Sequence, residues 1–238
     1  IGGMATALPN RDSEVNESAA ATITADKEWE AAQGFIRAWT AHIFHMQTAA
    51  DPFKSLRGTG WTPSPEQHDP DRYPVEIAVP EGPITIEGTR RNARMLVEYI
   101  EGWLNGRGAK GIDSLAGKPG IHPALMEDLA TGRMSVAQIA QRVVHSVKDT
   151  ETGQVHDFGL INTLLQEEAE DIIRLLKTET SDLDQTEQVA LAATRTRYLK
   201  AVKIAMRWIK NYTEFDFRSL GSYTRADLEI IAAREDAF

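Results

Sequence analysis

In the second half of this chain, hydrophobic residues recur at intervals of three and four positions, which is the spacing of an amphipathic helix. The first such stripe runs from Met95 to Leu104 and is followed by Gly106 and Gly108. Ser135 and Gln138 have the spacing of a capping box ahead of a second apolar face. Further stripes lie over 158–176, 185–210 and 225–233. We therefore predict a helical domain over residues 89–238.

One of these predicted helices has an acidic side. The acids are Glu167, Glu168, Glu170 and Asp171. Charged residues opposite an apolar stripe are typical of a face in contact with water. We predict that this run is solvated.

The first 50 residues show a different pattern. A short apolar run, Ile1 to Ala5, precedes an Ala-rich stretch over 16–33 that ends at Gly34. An aromatic and β-branched run, Phe35 to Phe44, follows. These runs predict a buried strand, a surface helix and a second buried strand. The charged residues assigned to the helix surface are Glu17, Asp26, Lys27, Glu28 and Glu30.

Between these parts, residues 51–88 carry seven prolines and several glycines, which argues against regular structure. We predict an inter-domain linker here. The domain organisation expected from the sequence is therefore 1–50, a linker over 51–88, and a helical domain over 89–238.

Composition excludes several classes of function. The net charge is −9 and the basic residues are scattered, so nucleic acid and anionic membranes are not expected partners. No apolar stretch approaches the roughly 20 residues that span a bilayer. The chain has no cysteine, which excludes a disulfide framework and fits a reducing compartment. The C-terminal Asp236-Ala237-Phe238 is not a peroxisomal signal, and we expect a cytoplasmic protein.

The beginning of the chain, Ile1-Gly2-Gly3-Met4-Ala5, has no initiator methionine and no charged leader. A strand this short needs partners to form a sheet. We predict that the chain is a fragment and that the missing strands lie upstream.

The strongest candidate for chemistry is the acid pair Glu127-Asp128, between a Gly/Pro-rich loop and a predicted helix. Two acids at a helix start are more often a solvated terminal charge, because the positive end of the helix dipole favours anions. His42 and His45 have no third ligand at metal spacing, so we interpret both as packing or polar-lining residues. His122 is interpreted as a capping or packing residue near the acid pair.

Several segments occur in the order and approximate spacing seen in malate synthases. They are Ile1-Gly2-Gly3-Met4-Ala5, Ala25-Asp26-Lys27-Glu28, Gly34 with Trp39-Thr40-Ala41-His42, Pro80-Glu81-Gly82-Pro83-Ile84-Thr85, Arg91-Asn92, Tyr99-Ile100-Glu101-Gly102-Trp103-Leu104 and Met126-Glu127-Asp128. The chain thus resembles that family over nearly its whole length. The resemblance implies the terminal part of a TIM (β/α)8 barrel followed by a helical C-terminal cap domain, an α/β plus all-α fold.

The resemblance also implies an activity, the transferase reaction that condenses acetyl-CoA with glyoxylate and water to give malate and CoA in the glyoxylate cycle. It assigns Asp128 as the base that enolises acetyl-CoA, with Glu127 as a neighbour only. Met4, Trp39 and Met126 resemble residues that line the acetyl-CoA and glyoxylate pocket. The family's Mg2+ ligands and an arginine lie on earlier strands, so no residue of this chain is assigned to a metal. The rest of the barrel is the expected partner of the fragment, which we expect to be inactive alone.

Departures from the family pattern leave alternatives open. Ile43 stands where the family usually has proline, and Ile36-Arg37-Ala38 replaces the usual Asp-Gly-Thr. The length of the segment 110–122 leaves the A-type and G-type subclasses undecided. The alternatives are a related Claisen-type lyase or synthase acting on another acyl-CoA or 2-oxo acid, and a non-catalytic helical docking module derived from the family.

Overall fold

A computed structural model of the chain describes residues 1–56, 69, 71, 81–112, 123–178, 183–213, 226, 227, 230 and 233. These residues form a mostly helical structure with six α-helices and four short strands. The helical character predicted for the C-terminal part is confirmed. The chain divides into two compact units, one of residues 1–82 with 116–126 and one of residues 83–115 with 127–238.

The first unit contains a strand, a helix and a strand in the predicted order, but the first strand is not buried as predicted, since Ile1 and Met4 are 59% and 38% exposed. Strand β1 (Met4–Ala5) is followed by helix α1 (Ser13–Ala32) and strand β2 (Trp39–Thr40). The two strands pair in parallel, with Met4 opposite Trp39. The Asp12 side chain caps α1 by accepting a hydrogen bond from the Glu14 amide at 2.9 Å, and Gly34 follows the helix with a φ of 93°. A small core forms from Ala5, Ala7, Ala19, Ile23 and Ala49.

The second predicted strand is much shorter than 35–44. Only Trp39–Thr40 is extended, and it is followed by a 3-10 helix (Ile43–His45), helix α2 (Met46–Ala50) and a further 3-10 helix (Asp51–Leu56). Ile43 and Phe44 are 76% and 55% exposed. The prediction of a long buried strand was wrong because β-propensity requires a neighbouring strand or a packing surface to be realised.

Helix α1 buries charges that the sequence assigned to its surface. Lys27 is fully buried and Glu30 is 5% exposed. The Lys27 ammonium donates to Glu30 Oε1 at 2.8 Å and to the Gly3 carbonyl at 2.9 Å. The Gly3 amide donates to Glu30 Oε1 at 2.7 Å. The two side chains are tolerated in the interior because they pair with each other and both bind the backbone beside β1.

Four long helices can be traced in the described part of the second unit. They are α3 (Ile86–Leu104), α4 (Leu129–Val144), α5 (Phe158–Thr178) and α6 (Gln185–Thr213). Their apolar stripes form one core that includes Leu96, Ile100, Ile139, Leu165 and Ile209. Strand β3 (Lys110–Ile112) also belongs to this unit, and strand β4 (Leu125–Glu127) immediately precedes α4 in the chain.

The helix starts differ from those predicted. Helix α3 begins at Ile86, inside the segment predicted as a linker, where Thr85 and Asp149 both cap it. The rest of that segment lies mostly outside the described residues. Helix α4 begins at Leu129, so Ser135 is an interior residue and not a cap. The predicted helix over 225–233 also lies mostly outside the described residues.

The acidic run of α5 is only partly solvated. Glu167 and Glu170 are exposed, whereas Glu168 is 6% exposed. The Glu168 carboxylate accepts hydrogen bonds from Arg90 and Arg94 of α3, at 2.9 and 2.8 Å. The prediction of a solvated face was wrong for Glu168, because its buried carboxylate forms ion pairs with Arg90 and Arg94 of α3.

Candidate active site

Asp128 is the N-cap residue of α4. Its Oδ1 accepts hydrogen bonds from the amides of Ala130 at 2.8 Å and Thr131 at 3.4 Å. The Asp128 amide donates to the Thr131 hydroxyl at 2.9 Å, which completes a reciprocal capping box. The carboxylate therefore lies at the positive end of the helix dipole, where negative charge is favoured.

The two oxygens of this carboxylate differ in their surroundings. Both capping bonds use Oδ1, and the hydrogen bonds that the described residues make to the group leave Oδ2 to accept a proton. The side chain is half-buried. A carboxylate held through one oxygen and open at the other has the arrangement that a general base needs.

Glu127 is in a different environment from its neighbour, since its residue is 8% exposed. Burial raises the pKa of the Glu127 carboxyl, and the negative charge of Asp128 raises it further, against a hydrogen bond from the Thr131 side chain that lowers it. Burial and the neighbouring charge thus both favour the protonated form of Glu127. The environments of the two adjacent acids are not equivalent, although the sequence places them side by side.

The segments that carry Met4, Trp39 and Met126 lie together in the first unit. Met4 and Trp39 are opposite each other in the parallel pair of β1 and β2. The Met126 amide donates to the Thr6 carbonyl at 2.8 Å, and the segment around Met126 runs antiparallel to the residues that follow β1. This contact is an isolated antiparallel bridge between Ala7 and Leu125, beside the two-stranded sheet of β1 and β2.

Strand alternation indicates which side of the backbone Met4 and Met126 occupy. Ala5 is buried in the core and Leu125 packs against it. Because alternate residues of a strand point to opposite sides, Met4 and Met126 lie on the face away from the core. Met4 and Trp39 are 38% and 61% exposed. Met4 and Trp39 therefore form an exposed apolar pair, and Met126 lies on the neighbouring segment that bonds to Thr6.

No group of three or more histidine, aspartate or glutamate side chains among the described residues could hold a metal ion. His42 Nδ1 accepts a hydrogen bond from the Phe44 amide at 3.1 Å, and His45 is buried. Burial, with a smaller contribution from His42, lowers the pKa of His45. The described part of the chain does not fit the Mg2+ that the family resemblance implies. His122 lies outside the described residues.

Sequence reasoning missed the residues that surround Asp128. Thr131 follows Asp128 at capping-box spacing, which was the available signal, but the sequence analysis identified a capping box only at Ser135 and Gln138. Tyr99 and Gly132 were also missed. The Tyr99 ring lies against the backbone of α4 at Gly132, a contact between positions 33 residues apart that spacing cannot reveal.

No described helix is long and apolar enough to cross a membrane.

A four-helix unit with a half-buried carboxylate at the start of one helix defines a helical domain that carries a candidate proton acceptor. Residues 83–223 match the family model described as the C-terminal domain of malate synthase. The chain therefore belongs to the malate synthase family, and the resemblance found in its motifs is confirmed.

Individual relatives agree with this assignment. The chain is 34% identical over 175 residues to the malate synthase of Streptomyces clavuligerus, covering 69% of this chain and 29% of the relative. It is 33% identical over 171 residues to malate synthase A of Escherichia coli (strain K12), covering 71% and 30%. It is also 33% identical over 174 residues to the glyoxysomal malate synthase of Candida tropicalis, covering 71% and 30%. The matches thus span less than a third of each relative.

Proposed function

We propose that this chain forms the C-terminal part of a malate synthase and supplies the base that enolises acetyl-CoA. The observation that carries the proposal is the geometry of Asp128, which is held by the first turn of α4 through Oδ1, while Oδ2 accepts none of the hydrogen bonds found among the described residues. Membership of the chain in the malate synthase family supports acetyl-CoA and glyoxylate as the substrates. The corresponding domain arrangement is the end of the barrel over 1–50, a linker over 51–88 and the cap over 89–238, in a cytoplasmic enzyme.

In this mechanism Asp128 Oδ2 accepts a proton from the thioester methyl group, and the electron pair of that C–H bond becomes the enolate. The methyl carbon then forms a bond to the aldehyde carbon of glyoxylate as the π pair of its C=O bond moves to the oxygen. The resulting alkoxide takes one proton from water to become the hydroxyl of the malyl thioester, and Asp128 releases its proton to solvent. Water cleaves the thioester to release malate and CoA. General-base removal of a proton contributes on the order of a hundredfold to ten-thousandfold in rate.

The chain's own residues account for only part of this reaction. The described residues hold no ligand set for Mg2+, and the family resemblance assigns the polarisation of glyoxylate to other residues than these. Met4, Trp39 and Met126 are proposed to line the acetyl-CoA and glyoxylate pocket by shape and by exclusion of water.

A non-catalytic helical module is the second candidate, and the capping box favours it. The hydrogen bonds of Asp128 with Ala130 and Thr131 are sufficient to explain an acid at this position for stability alone. The two candidates predict different turnover for a variant at position 128 that keeps a capping oxygen but has no basic carboxylate.

Asp128→Asn in the full-length enzyme separates them, because asparagine caps a helix about as well as aspartate. We expect acetyl-CoA binding and thermal unfolding to be retained. Turnover, and solvent exchange of the acetyl-CoA methyl protons, should fall by roughly a hundredfold to ten-thousandfold. Glu127→Gln is the matched control and should affect methyl exchange far less. Near-normal exchange in Asp128→Asn would contradict the catalytic assignment and leave the structural one.

A further inference from the structure

The first turn of α4 packs against an aromatic ring from α3. A Cβ atom built on Gly132 would lie 3.0 Å from Tyr99 Cδ1, 3.3 Å from Tyr99 Cε1 and 3.6 Å from Trp208 Cη2. Tyr99 and Trp208 are 1% and 2% exposed. The ring edge of Tyr99 therefore occupies the space in which any other residue at 132 would place its side chain.

Gly132 also forms the first backbone hydrogen bond of the helix. Its amide donates to the Asp128 carbonyl at 3.0 Å. The backbone at Gly132 and the backbone at Asp128 are thus two ends of one hydrogen-bonded turn. A displacement of Gly132 away from the Tyr99 ring would therefore also shift the capping box and the Asp128 carboxylate.

A glycine inside a helix is unfavourable relative to alanine. The Tyr99 ring gives a physical reason for it at this position, because interiors are close-packed and a buried ring between helices has little room to move. The phenol is also within electrostatic reach of the acid. Burial raises the pKa of Tyr99, and the negative charge of Asp128 raises it further, so the phenol stays neutral beside the carboxylate.

We propose that Tyr99 is a positioning residue for Asp128, acting through Gly132: its ring fixes the first turn of α4 and thereby the direction of the Asp128 carboxylate. This inference rests on the proposed function for its catalytic consequence. Its structural part, the control of the α4 turn by the ring, does not depend on that function.

The structural part is tested in the 238-residue chain by hydrogen exchange of the Ala130 and Thr131 amides, which Asp128 caps. Gly132→Ala should speed their exchange while leaving the amides of α5 unchanged. Gly108→Ala is the matched control, since a Cβ there meets nothing within 4 Å. Tyr99→Phe keeps the ring and should leave the capped amides protected. Unchanged protection of Ala130 and Thr131 in Gly132→Ala would overturn the proposal.

The catalytic consequence is tested in the full-length enzyme. A small misplacement of a reacting group can cost about a hundredfold in rate, so Gly132→Ala should lower kcat by roughly tenfold to a hundredfold with KM for glyoxylate nearly unchanged. Tyr99→Leu removes ring atoms that the new methyl group would meet, so adding it to Gly132→Ala should recover part of the lost kcat. Equal losses in kcat and 1/KM, or additive effects in the double variant, would overturn the proposal.

The two tests separate this inference from the proposed function. If Asp128→Asn were active, the proposed function would fail. The exchange of the Ala130 and Thr131 amides in Gly132→Ala would still test whether the Tyr99 ring fixes the first turn of α4. If Asp128→Asn were inactive but Gly132→Ala kept both its kcat and its amide protection, the positioning role alone would fail.

Discussion

The amide of Asp128 donates to the hydroxyl of Thr131 at 2.9 Å while the side chain of Asp128 accepts from the Thr131 amide at 3.4 Å. This reciprocal pair makes the proposed base part of the helix that carries it. The same contacts that orient the carboxylate also stabilise the start of α4, so stability and activity should respond differently to different substitutions at this position.

Asp128→Ala should destabilise the chain by about 1 kcal/mol, because it removes the oxygen that caps two amides. Asp128→Asn should change the free energy of unfolding by only a few tenths of that amount. Urea unfolding monitored by circular dichroism measures both values. Equal stability of the alanine and asparagine variants would show that the capping bonds contribute little.

The buried ion pair of α1 gives a second prediction. Lys27→Met leaves the Glu30 carboxylate buried without its cation, and breaking a buried pair in this way costs about 3–5 kcal/mol. The matched control is Glu28→Gln on the exposed side of the same helix, which should change stability by less than about 0.5 kcal/mol. Similar unfolding midpoints for the two variants would contradict the buried role of Lys27.

The acids of α5 give a third prediction. Among the described residues, Glu168→Ala leaves Arg94 with one carboxylate partner, Asp171 at 2.8 Å, and it removes a partner of Arg90 as well. We expect a loss of about 3 kcal/mol. Glu170→Ala, at an exposed position of the same helix, should change stability by less than about 0.5 kcal/mol. Comparable losses in the two variants would show that the whole run is solvated, as the sequence pattern suggested.

These contrasts show which part of the fold is accessible from sequence. Helices α3, α5 and α6 follow from the three-and-four spacing of apolar residues, because burial of one stripe is a local property of the chain. The burial of Lys27 and Glu168 is not accessible in this way. Each is fixed by a partner on another segment, the backbone of Gly3 for Lys27 and the side chains of Arg90 and Arg94 for Glu168.

The candidate site shows the same division. The acid pair and its place before a helix are visible in the sequence, and the family resemblance singled out Asp128. The spacing of Asp128 and Thr131 fits a capping box, but the sequence analysis identified one only at Ser135 and Gln138, which have the more usual residue types. The contact of Tyr99 with Gly132 depends on how α3 packs against α4, and no local pattern encodes it.

Asp149 gives the last prediction, which concerns pH. Its carboxylate accepts hydrogen bonds from the amides of Ile86 at 2.5 Å, Thr152 at 2.6 Å and Glu151 at 3.0 Å, and from the Thr152 hydroxyl at 2.8 Å. The Ile86 amide and then the Thr152 groups lower the pKa of Asp149 to about 2, against an ordinary value of 3.8. The loop around Asp149 is thereby joined to the first turn of α3.

A pKa that is lower in the folded state means that the ionised form stabilises the fold above about pH 4, and that this stabilisation is lost as the pH falls towards 2. The asparagine side chain of Asp149→Asn has one accepting oxygen where aspartate has two. At pH 7 the thermal midpoint of this variant should therefore be several degrees lower than that of the wild type. The difference should shrink between pH 4 and pH 2, because only the wild type loses its advantage there. Glu151→Gln, at an exposed position of the same turn, should follow the wild type throughout. A constant difference between the wild type and Asp149→Asn from pH 7 to pH 2 would show that ionisation of Asp149 does not stabilise the fold.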